Sequence, residues 1–289
     1  MQMRDFGNTS LRVSEFGLGC ARIGGVFQSN PRGFLDLLSF AFESGVTFFD
    51  TADMYSQGES ESLIGKAFRG KRDRIVIASK VGYRLPGRRR WAGRIKPLLR
   101  PLVRLLKLRR DQLPSGSRGA LSQDFSPKYL QAAAEGSLRR LGTEYLDLLQ
   151  LHSPPLEVIE RGEWLSGLEE LKRVGKVRYF GVAVDSIEAG LAALRYPAVS
   201  CIQFTLNLLE PGGARELFPA AQRQGVGGIA RECLANGLLV KRLEDIELKN
   251  YCSSPEQEAQ RAVQLAELQR TARLEQVERE LDARNSRVT

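Results

Sequence analysis

The sequence predicts an α/β fold in which short apolar strands alternate with amphipathic helices around a parallel sheet. The candidate strands are almost continuously apolar, which is typical of strands that are covered on both faces. Glycines stand where helices should end before the next strand, at Gly45, Gly142, Gly175 and Gly225. A chain of 289 residues can bury a large core, and we expect residues 1–289 to form one domain.

The order of the elements predicts a (β/α)8 TIM barrel with one strand unaccounted for. Segments 2–6 and 11–13 flank the turn GNTS and predict a small hairpin. The candidate barrel strands are 16–19, 46–52, 74–81, 145–152, 177–184, 201–207 and 226–232. The candidate helices are 32–44, 59–68, 127–141, 163–174, 186–194 and 212–224. No segment has the pattern of an eighth strand, so we expect that strand to be missing or replaced.

The last part of the chain predicts one long charged helix, from about 255 to 284. Leu274, Val277 and Leu281 have the spacing of a narrow apolar seam. Two interpretations remain open: a solvated helix that lies on the barrel, and a helix that associates with another copy of the chain. Three apolar positions are too few to define a coiled coil.

The positive charge is concentrated in one insertion, residues 84–126, after the third candidate strand. The chain has a formal net charge of +9, and eleven basic residues but no acidic ones lie between Arg84 and Arg110. A basic segment confined to an insertion is weak support for nucleic-acid binding, so we expect no nucleic-acid partner. Drawn as a helix, this segment has one apolar and one basic face. Three interpretations remain open: a lid or substrate loop, a solvated loop, and a contact of 84–110 with a membrane surface or an acidic partner.

The sequence has none of the patterns of exported, membrane-spanning or metal-binding proteins. Its start has no apolar run behind a basic end, and no stretch approaches ~18 uninterrupted apolar residues. The four cysteines are scattered without a CxxC pair, and the chain has a single histidine. We therefore expect no metal site and a reducing, cytoplasmic setting.

Polar side chains end three of the candidate strands. Asp50, Lys80 and His152 each end an apolar run, and Tyr55 lies in the loop after Asp50. The carboxyl ends of barrel strands meet at one face, where TIM barrels build their active sites. A free tyrosine, with a pKa near ~10, donates protons poorly at neutral pH, but a neighbouring ammonium lowers that pKa. With a carboxylate holding the ammonium and a histidine orienting a carbonyl, the group predicts acid-catalysed carbonyl reduction by hydride from a cofactor.

Each of these residues also has an ordinary structural interpretation. His152 could be a core residue, Lys80 could reach to the rim, and Asp50 could cap the next helix. Their joint occurrence at successive strand ends favours the catalytic interpretation.

Six segments also resemble successive signatures of the aldo-keto reductase family, over about residues 1–240. They are GVTFFDTADMYSQGESESLIGKAF, IVIASKVG, YLDLLQLHSPP, VRYFGVAVDS, IQFTLNLLEP and VGGIARECLANGLL. The positions of the family's catalytic tetrad are filled by Asp50, Tyr55, Lys80 and His152, with Tyr55 as the proton donor. The resemblance implies an NADPH-preferring reductase of small-molecule carbonyl substrates, with the cofactor extended across the barrel mouth and no Rossmann domain.

The resemblance also implies a set of cofactor-binding residues. Gln203 falls on the family's glutamine that holds the nicotinamide carboxamide, and Arg231 falls where a side chain often stacks on the nicotinamide ring. Leu234, Ala235 and Gly237 match the loop beneath the pyrophosphate. The full expected set is Gly19, Cys20, Asp50, Gln203, Arg231, Leu234, Ala235 and Gly237.

Two departures from the family pattern affect the cofactor site. Where the family usually has Gly-Val-Ser-Asn, this chain has Ala183 and Val184 in the last two places, so side-chain hydrogen bonds to the carboxamide are lost. Each would be worth on the order of 1 kcal/mol. Residues 255–289 lack the family's Gly-rich phosphate-binding stretch, so we expect the adenosine-phosphate half of the site to be absent or rebuilt. The sequence therefore gives no preference between NADPH and NADH.

Three functional hypotheses follow from these residues. The first is hydride transfer from NADPH to an aldehyde or ketone, with Tyr55 as proton donor assisted by Lys80, Asp50 and His152. The second is non-redox acid/base chemistry, such as dehydration, isomerisation or cyclisation, by the same four residues. The third is a non-catalytic binding subunit. The substrate and the oligomeric state are open.

Overall fold

The structure, a computed structural model, describes residues 1–23, 30–84, 122–240 and 254–268. Most of the insertion predicted at 84–126, and the apolar seam of the terminal helix, lie outside the described residues. The chain divides into two compact units, Met1–Phe204 with Arg215–Ile229 and Thr205–Ala214 with Ala230–Thr289. A single domain over 1–289 stays a prediction.

The elements follow the order that the sequence predicts, with two differences: the helix Leu156–Arg161 was not predicted, and the predicted helix 212–224 is divided into Gly212–Arg215 and Leu217–Arg223. The strands are β1 (Met3–Asp5), β2 (Arg12–Ser14), β3 (Gly17–Gly19), β4 (Phe48–Asp50), β5 (Val76–Val81), β6 (Leu146–His152), β7 (Val177–Ala183), β8 (Cys201–Thr205) and β9 (Gly227–Arg231). The helices are α1 (Pro31–Glu43), α2 (Glu59–Ala67), α3 (Pro127–Leu141), α4 (Leu156–Arg161), α5 (Trp164–Arg173), α6 (Ile187–Ala193), α7 (Gly212–Arg215) and α8 (Leu217–Arg223). Residues 255–268 are also helical. Short 3-10 turns lie at Tyr55–Gly58, Arg72–Arg74 and Ala235–Val240.

The central sheet has seven strands in chain order, from β3 to β9. Neighbouring strands from β3 to β8 run parallel, with Asp50 beside Ala78 and His152 beside Ala183. This confirms the predicted α/β barrel architecture. Within the described ranges no eighth barrel strand occurs, and β1 and β2 form the predicted antiparallel hairpin separately.

Local signals in the sequence set the helix ends. The side chain of Asn30 accepts a hydrogen bond from the Gly33 amide at the start of α1, and Ser186 does the same for α6. Gly142 ends α3 in the left-handed region, with φ of 65°, and its amide donates to the Leu138 carbonyl. The glycines predicted to end helices therefore do so because they adopt a conformation that other residues rarely take.

The barrel interior has an apolar layer at one end and a polar layer at the other. Phe48, Val76 and Leu148 fill the end at which the strands begin, where the hairpin residues Phe6 and Leu11 pack against them. Alternate residues point outward and join the larger core beneath the helices. Further along the strands the interior positions include Asp50, Lys80 and Gln150, with Ala78 between Val76 and Lys80, so the apolar layer forms a floor beneath the polar residues.

The second unit contains the described part of the predicted terminal helix. In this unit Leu265 of 255–268 is buried against Leu209 and Leu238, and Arg261 forms an ion pair with Glu210. The helix is thereby confirmed over 255–268. Across the described ranges, no helix is both long enough and apolar enough to cross a membrane.

Gly181 in β7 allows a close approach to β8. A Cβ atom built at this position would lie 2.0 Å from the backbone carbonyl oxygen of Cys201. Backbone atoms of a paired strand cannot move away without disturbing the sheet, so any side chain at this position strains the barrel.

We predict that Gly181→Ala lowers the free energy of unfolding by about 1–3 kcal/mol, because the added methyl group overpacks the sheet. Urea denaturation followed by circular dichroism measures the change. Gly19→Ala is the matched control, because a Cβ there meets no atom within 4 Å. Equal stability of the two variants would contradict the close-approach explanation.

Candidate active site

Lys80 lies in the interior of the barrel near the end of β5 and is only 2% exposed. Its Nζ atom donates to the Asp50 Oδ2 atom at 2.6 Å and to the Thr51 carbonyl at 2.9 Å. A buried ammonium is stable only if it is paired and hydrogen-bonded. The end of β4 therefore supplies both the charge and the acceptors that hold Lys80.

The other oxygen of Asp50 accepts from two buried glutamines. Gln203 Nε2 lies 3.1 Å from Asp50 Oδ1, and Gln150 Nε2 makes a longer contact of 3.4 Å with the same atom. The Oε1 atom of each glutamine is buried without a hydrogen-bond partner among the described residues. Gln203 was predicted as a site residue and Gln150 was not. Gln150 could have been found from the sequence, because Gln150 and His152 lie on one face of β6.

The loop after β4 brings Tyr55 to the lysine. The Asp53 amide donates to the Lys80 carbonyl at 3.0 Å, which extends the strand pairing beyond the end of β4. Lys80 Nζ then lies 5.2 Å from the centroid of the Tyr55 ring. Directly after Tyr55, Ser56 and Gln57 have φ of 50° and 63°. Such left-handed conformations cost free energy in non-glycine residues and often occur at functional loops.

His152 ends β6 and lies between two aromatic rings. The ring of Tyr55 is 5.7 Å from it, centroid to centroid, and that of Tyr83 is 5.0 Å from it, both nearly perpendicular. The next residue, Ser153, has φ of 51°, and the Gln123 side chain donates to its carbonyl. Tyr83 was not predicted as a site residue. Tyr83 follows the strand that carries Lys80, and an aromatic residue at that position could have indicated a site residue.

The first unit therefore brings together all four predicted tetrad residues. Asp50, Lys80 and Tyr55 form one connected group, and His152 joins it through its contact with the Tyr55 ring. Their catalytic roles remain predictions.

Two predicted cofactor residues, Gly19 and Cys20, lie beside Asp50 at the end of β3. Gly19 pairs with Asp50 in the sheet, and the Cys20 amide donates to the Asp50 carbonyl at 2.8 Å. Burial raises the pKa of the Cys20 thiol far above its usual range, and the Asp50 charge raises it further. The same two causes raise the pKa of Cys201 in β8. Both raised pKa values favour the neutral thiol, which is a poor nucleophile.

Arg231, Leu234, Ala235 and Gly237 lie in the second unit. Arg231 ends β9, with its Nη1 atom 3.8 Å from the Glu232 carboxylate, and Leu234 is exposed. Ala235 and Gly237 lie in the 3-10 turn, with φ of 46° and 98°. Their cofactor-binding role stays a prediction.

The departures Ala183 and Val184 lie beside Gln203. Ala183 pairs with Gln203 in the sheet, and the Val184 amide already donates to the Gln203 carbonyl. Both side chains are buried and apolar. Neither side chain can hydrogen-bond a neighbouring amide, as the sequence indicates.

A parallel βα barrel with a lysine–carboxylate pair, a tyrosine and a histidine in its interior belongs to the class of α/β-barrel proteins equipped for proton transfer. Comparison with known proteins identifies the family. The family model described as the Aldo/keto reductase family matches residues 15–288. The chain belongs to the aldo-keto reductase family, which confirms the predicted resemblance. Membership implies an NAD(P)H-dependent oxidoreductase.

Individual relatives agree with this assignment. An uncharacterized oxidoreductase of Bacillus subtilis is 29% identical over 84% of this chain and 68% of its own length. Pyridoxal 4-dehydrogenase of Microbacterium luteolum is 28% identical over 88% of this chain and 77% of its own length. The holo form of an aldo-keto reductase of Bacillus halodurans superposes with a TM-score of 0.67 at 30% identity, covering 84% of this chain and 70% of that one.

We predict that iodoacetamide at pH 8 labels Cys233 in the native protein and leaves Cys20 and Cys201 unlabelled. Cys233 is exposed, whereas the other two thiols are buried and their pKa values are raised. Peptide mass spectrometry measures the labelling at each site, and urea-unfolded protein, in which all three should react, is the control. Native labelling of Cys20 as fast as that of Cys233 would contradict the buried environment.

Proposed function

We propose that this chain reduces a small-molecule aldehyde or ketone with NADPH, with Tyr55 as the proton donor; NADH is the alternative cofactor. One observation carries the proposal. A buried lysine contacts both the Asp50 carboxylate and the ring of Tyr55, and His152 lies edge-on to the same ring. This arrangement combines a proton donor, a fixed positive charge and a hydrogen-bonding group in one place.

The proton transfer follows from these contacts. As Tyr55 gives up its proton, negative charge develops on its oxygen, and the Lys80 ammonium stabilises that charge. Asp50 holds the ammonium in position with a 2.6 Å hydrogen bond. His152 orients the substrate carbonyl toward Tyr55. The cofactor, when bound, supplies the hydride to the carbonyl carbon, and Tyr55 supplies the proton to its oxygen.

The residues around Asp50 fit a nicotinamide. The Nε2 atom of Gln203 donates to Asp50, so its Oε1 atom is the group left to accept a hydrogen bond, and it is buried without a partner among the described residues. A carboxamide N–H is a suitable donor to it, since a buried acceptor gains from being satisfied. Gly19, Cys20 and the second-unit residues Arg231, Leu234, Ala235 and Gly237 are the further cofactor contacts in this proposal.

The substrate class is argued from the relatives. The relative from Microbacterium luteolum is named for pyridoxal, a small aldehyde. A dehydrogenase removes hydride from the compound it is named for, so pyridoxal is the first substrate to test, with NADPH for reduction and with NADP+ for oxidation.

A second candidate function is non-redox acid/base chemistry at the same four residues. It is favoured by Ala183 and Val184, which remove two side-chain hydrogen bonds from the nicotinamide's expected position. The two functions differ in cofactor affinity, because the second requires none.

We predict that Tyr55→Phe lowers kcat for pyridoxal reduction by about 10²- to 10⁴-fold, because the proton donor is lost. Oxidation of NADPH followed at its absorbance band measures the rate. The control is Tyr145→Phe, which keeps the ring beneath Arg72 and removes only a hydroxyl outside the site. Wild-type protein that neither binds NADPH nor turns over would contradict the proposal and favour the non-redox function.

We predict that two matched variants distinguish the glutamine that also binds the cofactor from the one that only positions Asp50. Gln203→Met should raise the Kd for NADPH about tenfold, because the carboxamide loses its acceptor. Gln150→Met should change that Kd less than about twofold, but lower kcat, because Asp50 loses one donor. Fluorescence titration and steady-state kinetics measure the two effects. Equal loss of NADPH affinity in both variants would contradict the assigned roles.

A further inference from the structure

A second cleft lies in the first unit, away from the barrel interior. It is lined by the last turns of α2 and α3 and by the residues that follow α2. Its volume of ≈ 350 Å³ is within the range of ~300–1,000 Å³ that small-molecule sites usually have. The charged residues that line it are all basic: Lys66, Arg69, Arg72, Arg139 and Arg140. None of the lining residues belongs to the tetrad or to the expected cofactor site.

Two of these five cations are already neutralised by buried carboxylates. Arg72 donates to Asp147 at 2.7 Å, and Arg140 donates to Glu61 at 2.6 Å. Arg72 also donates to the carbonyls of Ile75 and Tyr145. These bonds fix both guanidinium groups in the wall of the cleft and offset much of their charge, although Asp147 also pairs with Arg178.

The other three cations, Lys66, Arg69 and Arg139, are exposed and form no ion pair with the described residues, although Arg139, after Lys176, helps to lower the pKa of Glu135. Lys66 and Arg139 lie in the last turns of α2 and α3, where a cation also interacts favourably with the helix dipole. That effect does not account for Arg69, which lies beyond the end of α2. All three line the same cleft, so an anion bound there would be attracted by each of them.

We infer that this cleft binds a small anion that carries two or more negative charges, such as a phosphate ester. Guanidinium groups bind phosphate oxygens in a bidentate manner, and a lysine adds a compact charge. The remaining wall includes Ile64, Phe68 and Leu141, which suit the carbon skeleton of an ester. The cleft is too small for a folded acidic partner, so the ligand is a small molecule.

The test is isothermal titration calorimetry of the full chain with inorganic pyrophosphate at fixed ionic strength. The triple variant Lys66→Gln, Arg69→Gln and Arg139→Gln should weaken binding at least about tenfold, because three charge-assisted hydrogen bonds are lost. The control is Arg32→Gln, Lys128→Gln and Arg223→Gln, which removes the same charge from other exposed positions. The control should bind within about twofold of the wild type, and reductase activity should not change in either variant.

Equal weakening in both triple variants, or no weakening in either, would overturn the inference, because binding would then depend on net charge or on the arginine-rich segment 84–110. Tighter binding of hexaglutamate than of pyrophosphate would overturn the assignment to a small anion. A measurement on the wild type alone gives an independent answer if the triple variant does not fold. Pyrophosphate should protect Lys66, but not Lys128, from acetylation, and equal acetylation of both lysines would overturn the inference.

Discussion

The burial of the Lys80 ammonium is the constraint on which the rest of the site depends. At 2% exposure this group has little water to solvate it, so the protein must supply a carboxylate and hydrogen-bond acceptors. Asp50 supplies the carboxylate, and its second oxygen accepts from Gln150 and Gln203. One carboxylate therefore connects side chains of β4, β5, β6 and β8. The strands must pair in this register for the site to have its geometry.

The barrel supports this polar layer with an apolar floor and accommodates backbone strain around it. Phe48, Val76 and Leu148 lie beneath the polar residues and are sealed by the hairpin. Left-handed backbone directly follows Tyr55 and also His152. Such conformations persist only when surrounding structure holds them. Rigid strands and their hydrogen-bonded loops provide that support. The side chains of Tyr55 and His152 are thereby held in contact with each other.

The strands could be predicted from the sequence because each is a sustained run of apolar residues. The tetrad could be predicted because its polar residues interrupt or follow these runs. Gln150 was missed because, within LDLLQLH, a single amide does not break the run, although its alternation with His152 places it in the interior. The basic cleft was missed for another reason. Its cations come from separate stretches of the chain, so no single segment looks strongly basic, and the pairing of Arg72 with Asp147 and of Arg140 with Glu61 appears only in the folded structure.

In the proposed function Gln203 has two tasks: it donates to Asp50, and beside the apolar Ala183 it presents an acceptor to the carboxamide. Its Nε2 atom is committed to Asp50, which fixes the orientation of the amide and points Oε1 as an acceptor. A carboxamide bound to that oxygen would polarise the amide and strengthen its donation to Asp50. Cofactor binding and the position of Lys80 are thereby coupled through one side chain. The lost hydrogen bonds need not abolish cofactor binding, because an acceptor whose orientation is already fixed loses little conformational entropy when it binds.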